Sequence, residues 1–234
     1  MSKTLEIHCL LVQEYGDRPW APRADPLSEL IGTILSQNTS DVNSGRAYDA
    51  LRAAFPTWEQ VRDAPVEAIA GAIHSGGLAA IKAPRIRRVL TTVADQRGSL
   101  DLCFLAAMPV DEARHWLMSL DGVGAKTAAC VLMFSLGKPV MPVDTHVHRV
   151  SRRLGLSAPK DTPEETEAIL ESLLPPAARY AFHLNVIAHG RLVCKAQRPR
   201  CAACVLACHC DYLARHPELA IAPAAATRGG ARTS

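Results

Sequence analysis

Apolar residues recur along this chain at spacings of three and four, and almost no stretch alternates as a half-buried strand would. The first segment, KTLEIHCLLVQEY from Lys3 to Tyr15, sets Leu5, Ile7, Leu10 and Leu11 among polar positions and reads as a helix. A proline-rich connector, Gly16 to Ala24, follows it. Asp25-Pro26 supplies an N-cap with proline at the first helical position, opening a helix over Leu27 to Ser36. The polar run Gln37-Asn38-Thr39-Ser40-Asp41 interrupts the pattern, and Ser40 or Asp41 caps the next helix, through Phe55.

Pro56 and Pro65 punctuate two short helices, Thr57 to Asp63 and Val66 to His74. Ser75-Gly76-Gly77 closes the second. A longer helix, Leu78 to Gln96, carries Lys82, Arg85, Arg87 and Arg88, read either as a solvated face or as phosphate contacts, with Pro84 marking a kink or the true start. Two more helices, Leu100 to Ala107 and Val110 to Leu120, lead into a glycine turn. Later, Thr162-Pro163-Glu164-Glu165 opens another helix, Pro176 to Gly190 forms the last long one, and 217–234, rich in Ala, Pro and Gly, is expected to be disordered. The fold class is therefore all-α.

Composition narrows this. Of 234 residues 48% are hydrophobic but only 5% aromatic, so the core rests on Leu, Val, Ala and Ile, which suits packed helices better than a β-sandwich. The net charge of +3 says little about nucleic acid, so clustering of charge matters more than the total. No apolar run is long enough to cross a bilayer and no signal peptide is legible, which points to a cytoplasmic protein with no membrane partner. Eight cysteines in a reducing compartment do not suggest disulfides; five of them crowd into Cys194 to Cys210, which suggests metal.

The chemistry concentrates in LDGVGAKTAACVLMFSLGKPVMPVDTHVHRV, from Leu120 to Val150. Gly122 and Gly124 straddle Val123, so the backbone is free to take positive φ and a phosphate can approach without a Cβ in its way. The amides of this turn and the N-terminus of the following helix offer donors and a positive dipole end to an anion. Lys126 lies in that helix's first turn, and Asp144 is placed to cap a helix starting at Thr145. Taken singly, Lys126 is a solvated lysine and Asp144 an N-cap; together beside a phosphate clamp they make an active site.

LDGVGAKTA followed by VDTHVHRV resembles the helix-hairpin-helix and catalytic-aspartate loop of the endonuclease III family of DNA glycosylases, with Gly122, Gly124, Lys126, Asp144, Thr145 and His146 in matching order. The resemblance runs from about Leu27 to Tyr212. It implies two helical lobes with damaged double-stranded DNA in the cleft between them: 25–136 with the hairpin, and 1–24 joined to 137–216. It also implies a monomer, acting as a base-excision-repair glycosylase with lyase activity on oxidised pyrimidines. In Leu35-Ser36-Gln37-Asn38-Thr39, either Gln37 or Asn38 matches the residue that fills the gap left in the DNA stack.

The spacing Cys194-x6-Cys201-x2-Cys204-x5-Cys210 is a second signal. A four-sulfur zinc site normally uses two Cys-x2-Cys knuckles; this loop has one, and its unequal arms, like the family's cluster loop, suit a 4Fe-4S cluster with zinc as the alternative. Cys208 is left over, although a swapped ligand is conceivable, and Cys9, Cys103 and Cys130 fall in apolar helices as core residues. Arg191, Lys195, Arg198 and Arg200 make the loop basic, suited to phosphate contact or to offsetting cluster charge, and Arg149, Arg152 and Arg153 add charge nearby.

The resemblance implies the mechanism. Gly122, Val123 and Gly124 hold a phosphate, Asp144 stabilises charge at C1′, and Lys126, kept neutral in a dry pocket, attacks C1′ to form a Schiff base. His146 and His148 have no bond-making role, and His189 bridges the last helix to the cluster loop. Two other readings stay open: a monofunctional glycosylase for adenine or alkylated bases, which would not need Lys126, and a helix-hairpin-helix protein that only binds DNA.

Overall fold

The computed structural model describes residues 2–221, and among them there is no β-strand. Twelve α-helices follow in order: α1 Lys3–Tyr15, α2 Pro26–Ser36, α3 Asp41–Ala54, α4 Trp58–Asp63, α5 Val66–Ala72, α6 Ala79–Arg97, α7 Val110–Met118, α8 Ala125–Phe134, α9 Thr145–Leu154, α10 Pro163–Leu173, α11 Arg179–Leu192 and α12 Asp211–Arg215. The starts are set by local chemistry. Asp25 accepts from the Ser28 amide, Ser40 from Asn43, and Thr57 and Thr162 each close a reciprocal capping box with Gln60 and Glu165.

Two apolar cores form. In the first, α2 is the central rod, burying Leu27, Leu30, Ile31, Ile34 and Leu35 against α3, α6 and α8, whose run from Ala128 to Phe134 is apolar and buried. The second gathers Ile7 and Leu11 of α1, Val147, Val150 and Leu154 of α9, Leu170 of α10, and Phe182 and Val186 of α11. Helix α11 is the seam, because Phe182 and Val186 enter the second core while Tyr180 and Leu184 pack against the first. Polar ties cross the same seam. Arg114 of α7 reaches both Glu167 and Glu171 of α10, Trp20 donates its indole N–H to the Met133 carbonyl, and Arg18 donates to Asn185.

Several expectations need correction. The helix expected over Leu100 to Ala107 is one 3-10 turn, Cys103–Ala106; Leu102 and Leu105 are buried without needing a longer element. Pro84 does not start its helix, which begins five residues earlier at Ala79. The segment Val66 to His74 divides into α5 and a 3-10 turn, His74–Gly76, and Pro176–Ala178 is likewise a 3-10 turn ahead of α11. Within the tail, Pro217–Ala220 forms a 3-10 turn, and 222–234 lie outside the described residues.

The largest departure is Lys82. Far from facing solvent, it is 2% exposed, and its ammonium donates to the Leu35 carbonyl at 2.7 Å and the Gly76 carbonyl at 3.0 Å. Burial pushes this lysine below its ordinary pKa. Leu35 lies in the last turn of α2 and Gly76 ends the 3-10 turn, so one buried lysine holds together the two turns that carry Gln37-Asn38 and Gly77-Leu78.

Candidate active site and cluster loop

Helix α7, the Leu120–Gly124 turn and α8 form a hairpin of helices. Within it Gly122 has φ +71, a left-handed conformation that suits glycine, and a Cβ there would meet the Arg85 guanidinium at 2.0 Å. Gly124 is different: its φ is −92, and a Cβ would meet nothing within 4 Å. Only one of the two glycines is thus demanded by backbone geometry; the other leaves open space above the start of α8. Among the described residues no side chain caps that N-terminus, which leaves its first-turn amides available to an oxyanion.

The Gln37-Asn38 turn lies against this hairpin, and its two residues fare differently. Gln37 is tied down: Nε2 donates to the Gly122 carbonyl and to Thr127 Oγ1, both at 3.3 Å, and Oε1 accepts from Arg85 at 3.0 Å. Asn38 is exposed, with φ +54. Leu78 has the same φ +54 and is 48% exposed, an unusual pairing of a large apolar side chain with left-handed backbone. Sequence reading missed Leu78, although a leucine directly after Gly76-Gly77 was a signal that the turn does more than end a helix.

Asp144 caps α9, its Oδ1 accepting from the His146 and Val147 amides at 2.8 and 2.7 Å. Among the described residues no hydrogen bond reaches Oδ2. Lys126 and Asp144 line one cleft of about 530 Å³, together with Glu29, Tyr48, Cys130 and His183. The dry setting expected for Lys126 is absent here, since the residue is exposed on the cleft wall. His183, by contrast, is fully buried. Its Nδ1 donates to the Pro142 carbonyl at 2.9 Å, and burial lowers its pKa to about 4, so it stays neutral at physiological pH. Neither His183 nor Glu29 was singled out from sequence, because nothing local tells a cleft-facing helix position from a core one.

The basic residues divide by commitment. Arg149 is spent inside the protein, reaching the Cys194, Thr145 and Gly190 carbonyls and His146 Nδ1. Arg153 donates to the Lys195 and Ala196 carbonyls and to Cys194 Sγ. Arg191 pairs with Asp41 at 2.7 Å, both side chains largely exposed and both lining the cleft. Lys195 and Arg152 make no side-chain hydrogen bond or ion pair among the described residues.

Cys194, Cys201, Cys204 and Cys210 line one small cavity, walled by Arg153, Tyr212 and Leu213; Cys208 is exposed on a different surface. The sulfurs take hydrogen bonds from Arg153 and the Leu213 amide, and His189 Nε2 lies 3.5 Å from Cys204. His189 also meets the Tyr15 hydroxyl at 3.0 Å, so it links α1, α11 and the loop. Burial, opposed by a hydrogen bond from the Leu206 backbone and aided by the neighbouring cysteines, pushes Cys204 up to about 11. Burial raises the Cys201 thiol as well.

The sequence matches the HhH-GPD superfamily of base excision DNA repair proteins over residues 31–176. It is 36% identical over 191 residues to the endonuclease III of Thermotoga maritima, covering 82% of this chain and 85% of that protein. Plant relatives are longer: the chain spans 57% of one Arabidopsis thaliana protein with which it shares 37% identity over 166 residues. A solved non-covalent endonuclease III–DNA complex superposes with a TM-score of 0.79 at 30% identity, covering 93% of this chain and 99% of that one. A trapped covalent endonuclease III–DNA intermediate superposes at 0.78, also at 30% identity, with the same coverage. The uncapped hairpin, the cleft and the cysteine loop thus sit in a chain that belongs to the endonuclease III family of the HhH-GPD superfamily.

Proposed function

We propose that this protein is a DNA glycosylase with abasic-site lyase activity, acting on oxidised pyrimidines in duplex DNA. One observation carries the reading: a lysine from the first core and an aspartate leading into the second wall a single cleft beside an unfilled helix N-terminus. The family's base excision role and the covalent intermediate trapped for a related enzyme support it.

A base inside a duplex is out of reach, so the nucleotide must leave the stack, at a cost of a few kcal/mol that is least for a damaged base. The amides around Gly124 hold the backbone phosphate without reading sequence. Asn38 fills the vacancy while Gln37, bound to the hairpin, fixes the distance between filler and phosphate clamp; Leu78 wedges beside it. Lys195 and Arg191 add phosphate contacts, and Arg149 serves by holding the cluster loop.

The free oxygen of Asp144 faces the positive charge that grows at C1′ as the base departs with the bonding pair. Deprotonated Lys126 then bonds to C1′, with DNA excluding water from a side chain that is open in the free protein. The C1′–O4′ bond then breaks with a proton passing to O4′, which opens the sugar to the imine. A C2′ proton is removed, its electron pair forms the C2′–C3′ double bond, and the 3′ phosphate leaves as the C3′–O bond breaks.

Cys194, Cys201, Cys204 and Cys210 fit a 4Fe-4S cluster. All four line one small cavity, and their spacing, with one Cys-x2-Cys knuckle and unequal arms, supports that fit. When bound, such a cluster cross-links the loop and leaves no coordination position for substrate.

Asp144→Asn tests the reading with the helix cap retained, because asparagine caps as well as aspartate. Single-turnover excision of dihydrouracil from duplex DNA is expected to fall on the order of a hundred-fold or more. Excision at the wild-type rate would overturn it.

A further inference from the structure

Helix α2 turns two faces to two different worlds. Leu30, Ile31, Ile34 and Leu35 enter the core, while Glu29, Gly32, Thr33 and Ser36, at helical spacing, line the cleft that holds Lys126 and Asp144. Gly32 has only the Tyr48 ring near it, at 3.8 Å from where a Cβ would stand, so the stripe has a recess between Glu29 and Ser36.

Glu29 is the anomaly in that stripe. Acids in the first turn of a helix usually sit in water and offset the dipole. This side chain is only 10% exposed. Its Oε1 accepts weakly from Thr33 Oγ1 at 3.4 Å and lies 3.9 Å from Arg23. Among the described residues no hydrogen bond reaches Oε2, yet that atom is not sealed in the interior either, which leaves the cleft as the space it meets. An acceptor that opens only onto a cleft is served by water in the free protein and by a donor on the ligand when the cleft is filled.

We propose that Glu29 is the residue that reads the extruded base, accepting a ring N–H while Arg23 beside it donates to the adjacent carbonyl. The edge that fits is N–H next to C=O, as in the N3–H and C4=O of saturated or oxidised uracil- and thymine-type bases. The proposal rests on the glycosylase reading above and adds the selection rule. Arg23 is held for this role by stacking over the Phe134 ring at 3.9 Å, with its own backbone N–H on the Phe134 carbonyl.

The test is a cycle between enzyme and substrate. Duplexes carrying dihydrouracil or its N3-methyl derivative are processed under single-turnover conditions by the wild type, Glu29→Gln and Glu29→Leu. For the wild type, N3-methylation is expected to slow excision on the order of ten- to a hundred-fold, the range that one hydrogen bond to a charged group carries. Glu29→Leu should lose that discrimination, its rate on dihydrouracil falling to near its rate on the methylated base. Glu29→Gln, whose amide oxygen still accepts, should keep part of it.

Strand cleavage at a preformed abasic site, where no base is present, supplies the second readout. A Glu29→Leu enzyme that still discriminates against the methyl group overturns the proposal. So does one whose abasic-site cleavage falls as far as its excision, since Glu29 would then act through Lys126 or the fold. Wild-type protein that cleaves abasic DNA but ignores dihydrouracil refutes the base-reading role alone, whereas wild type inactive on both refutes the glycosylase-lyase reading itself.

Discussion

At the scale of single residues, the unexpected group is Lys82. It occupies the position four before Ile86 in the stripe Lys82, Ile86, Val89, Leu90, Val93 that α6 buries, so the helical spacing already placed it on the inward face. Residue type pointed the other way, because lysine is rarely buried. Its partners, the Leu35 and Gly76 carbonyls, come from turns whose approach no local pattern announces. Lys82→Met would relieve the burial of a charge but strand two carbonyls. We expect the second effect to win, lowering stability on the order of 2 kcal/mol, or roughly 4–8 °C in thermal unfolding. An unchanged melting temperature would mean that the two effects cancel. Asp144, in contrast, was legible as a cap at once, since capping needs only the next three residues.

At the scale of elements, the hairpin separates two glycines that look alike in sequence. Gly122→Ala must adopt φ +71 against the Arg85 side chain, and should destabilise the fold by about 1–2 kcal/mol or more while displacing Arg85 from Gln37. Gly124→Ala has ordinary backbone and empty space around it, so the melting temperature should hold while affinity for DNA carrying an abasic-site analogue falls. Melting and binding measured on both variants check the split; loss of stability in Gly124→Ala would contradict it. The same contrast explains what sequence could and could not give. Helices opened by Ser, Thr or Asp caps were bounded to within a residue or so, because the signal is local. Leu100 to Ala107 misled because two buried leucines, Leu102 and Leu105, satisfy both a helix pattern and a single 3-10 turn. Which face of α2 meets the cleft depends on α8 and α11, so Glu29 stayed hidden.

At the scale of the whole molecule, two cores meet along α11 and leave a cleft, and one ion pair, Asp41 with Arg191, joins α3 to α11 across it. Both partners are exposed, so the pair adds at most about 1 kcal/mol to stability. For the phosphate contact proposed for Arg191, DNA would have to displace the carboxylate first, so the pair's weight is expected on binding. Asp41→Asn should leave the melting temperature unchanged, tighten DNA binding several-fold at low salt, and steepen the dependence of log Kd on log salt by about 1. Titrations at several salt concentrations check this, and weaker binding would show that Asp41 itself serves the interface. The account turns finally on whether the two sides of that cleft act on one sugar. The direct measurement is borohydride trapping on duplex DNA carrying an oxidised pyrimidine, with wild-type protein and Lys126→Ala, followed by mapping of the cross-linked peptide. The account predicts a covalent adduct at Lys126 that the substitution abolishes; no adduct from folded wild-type protein, or one that survives in Lys126→Ala, would contradict it.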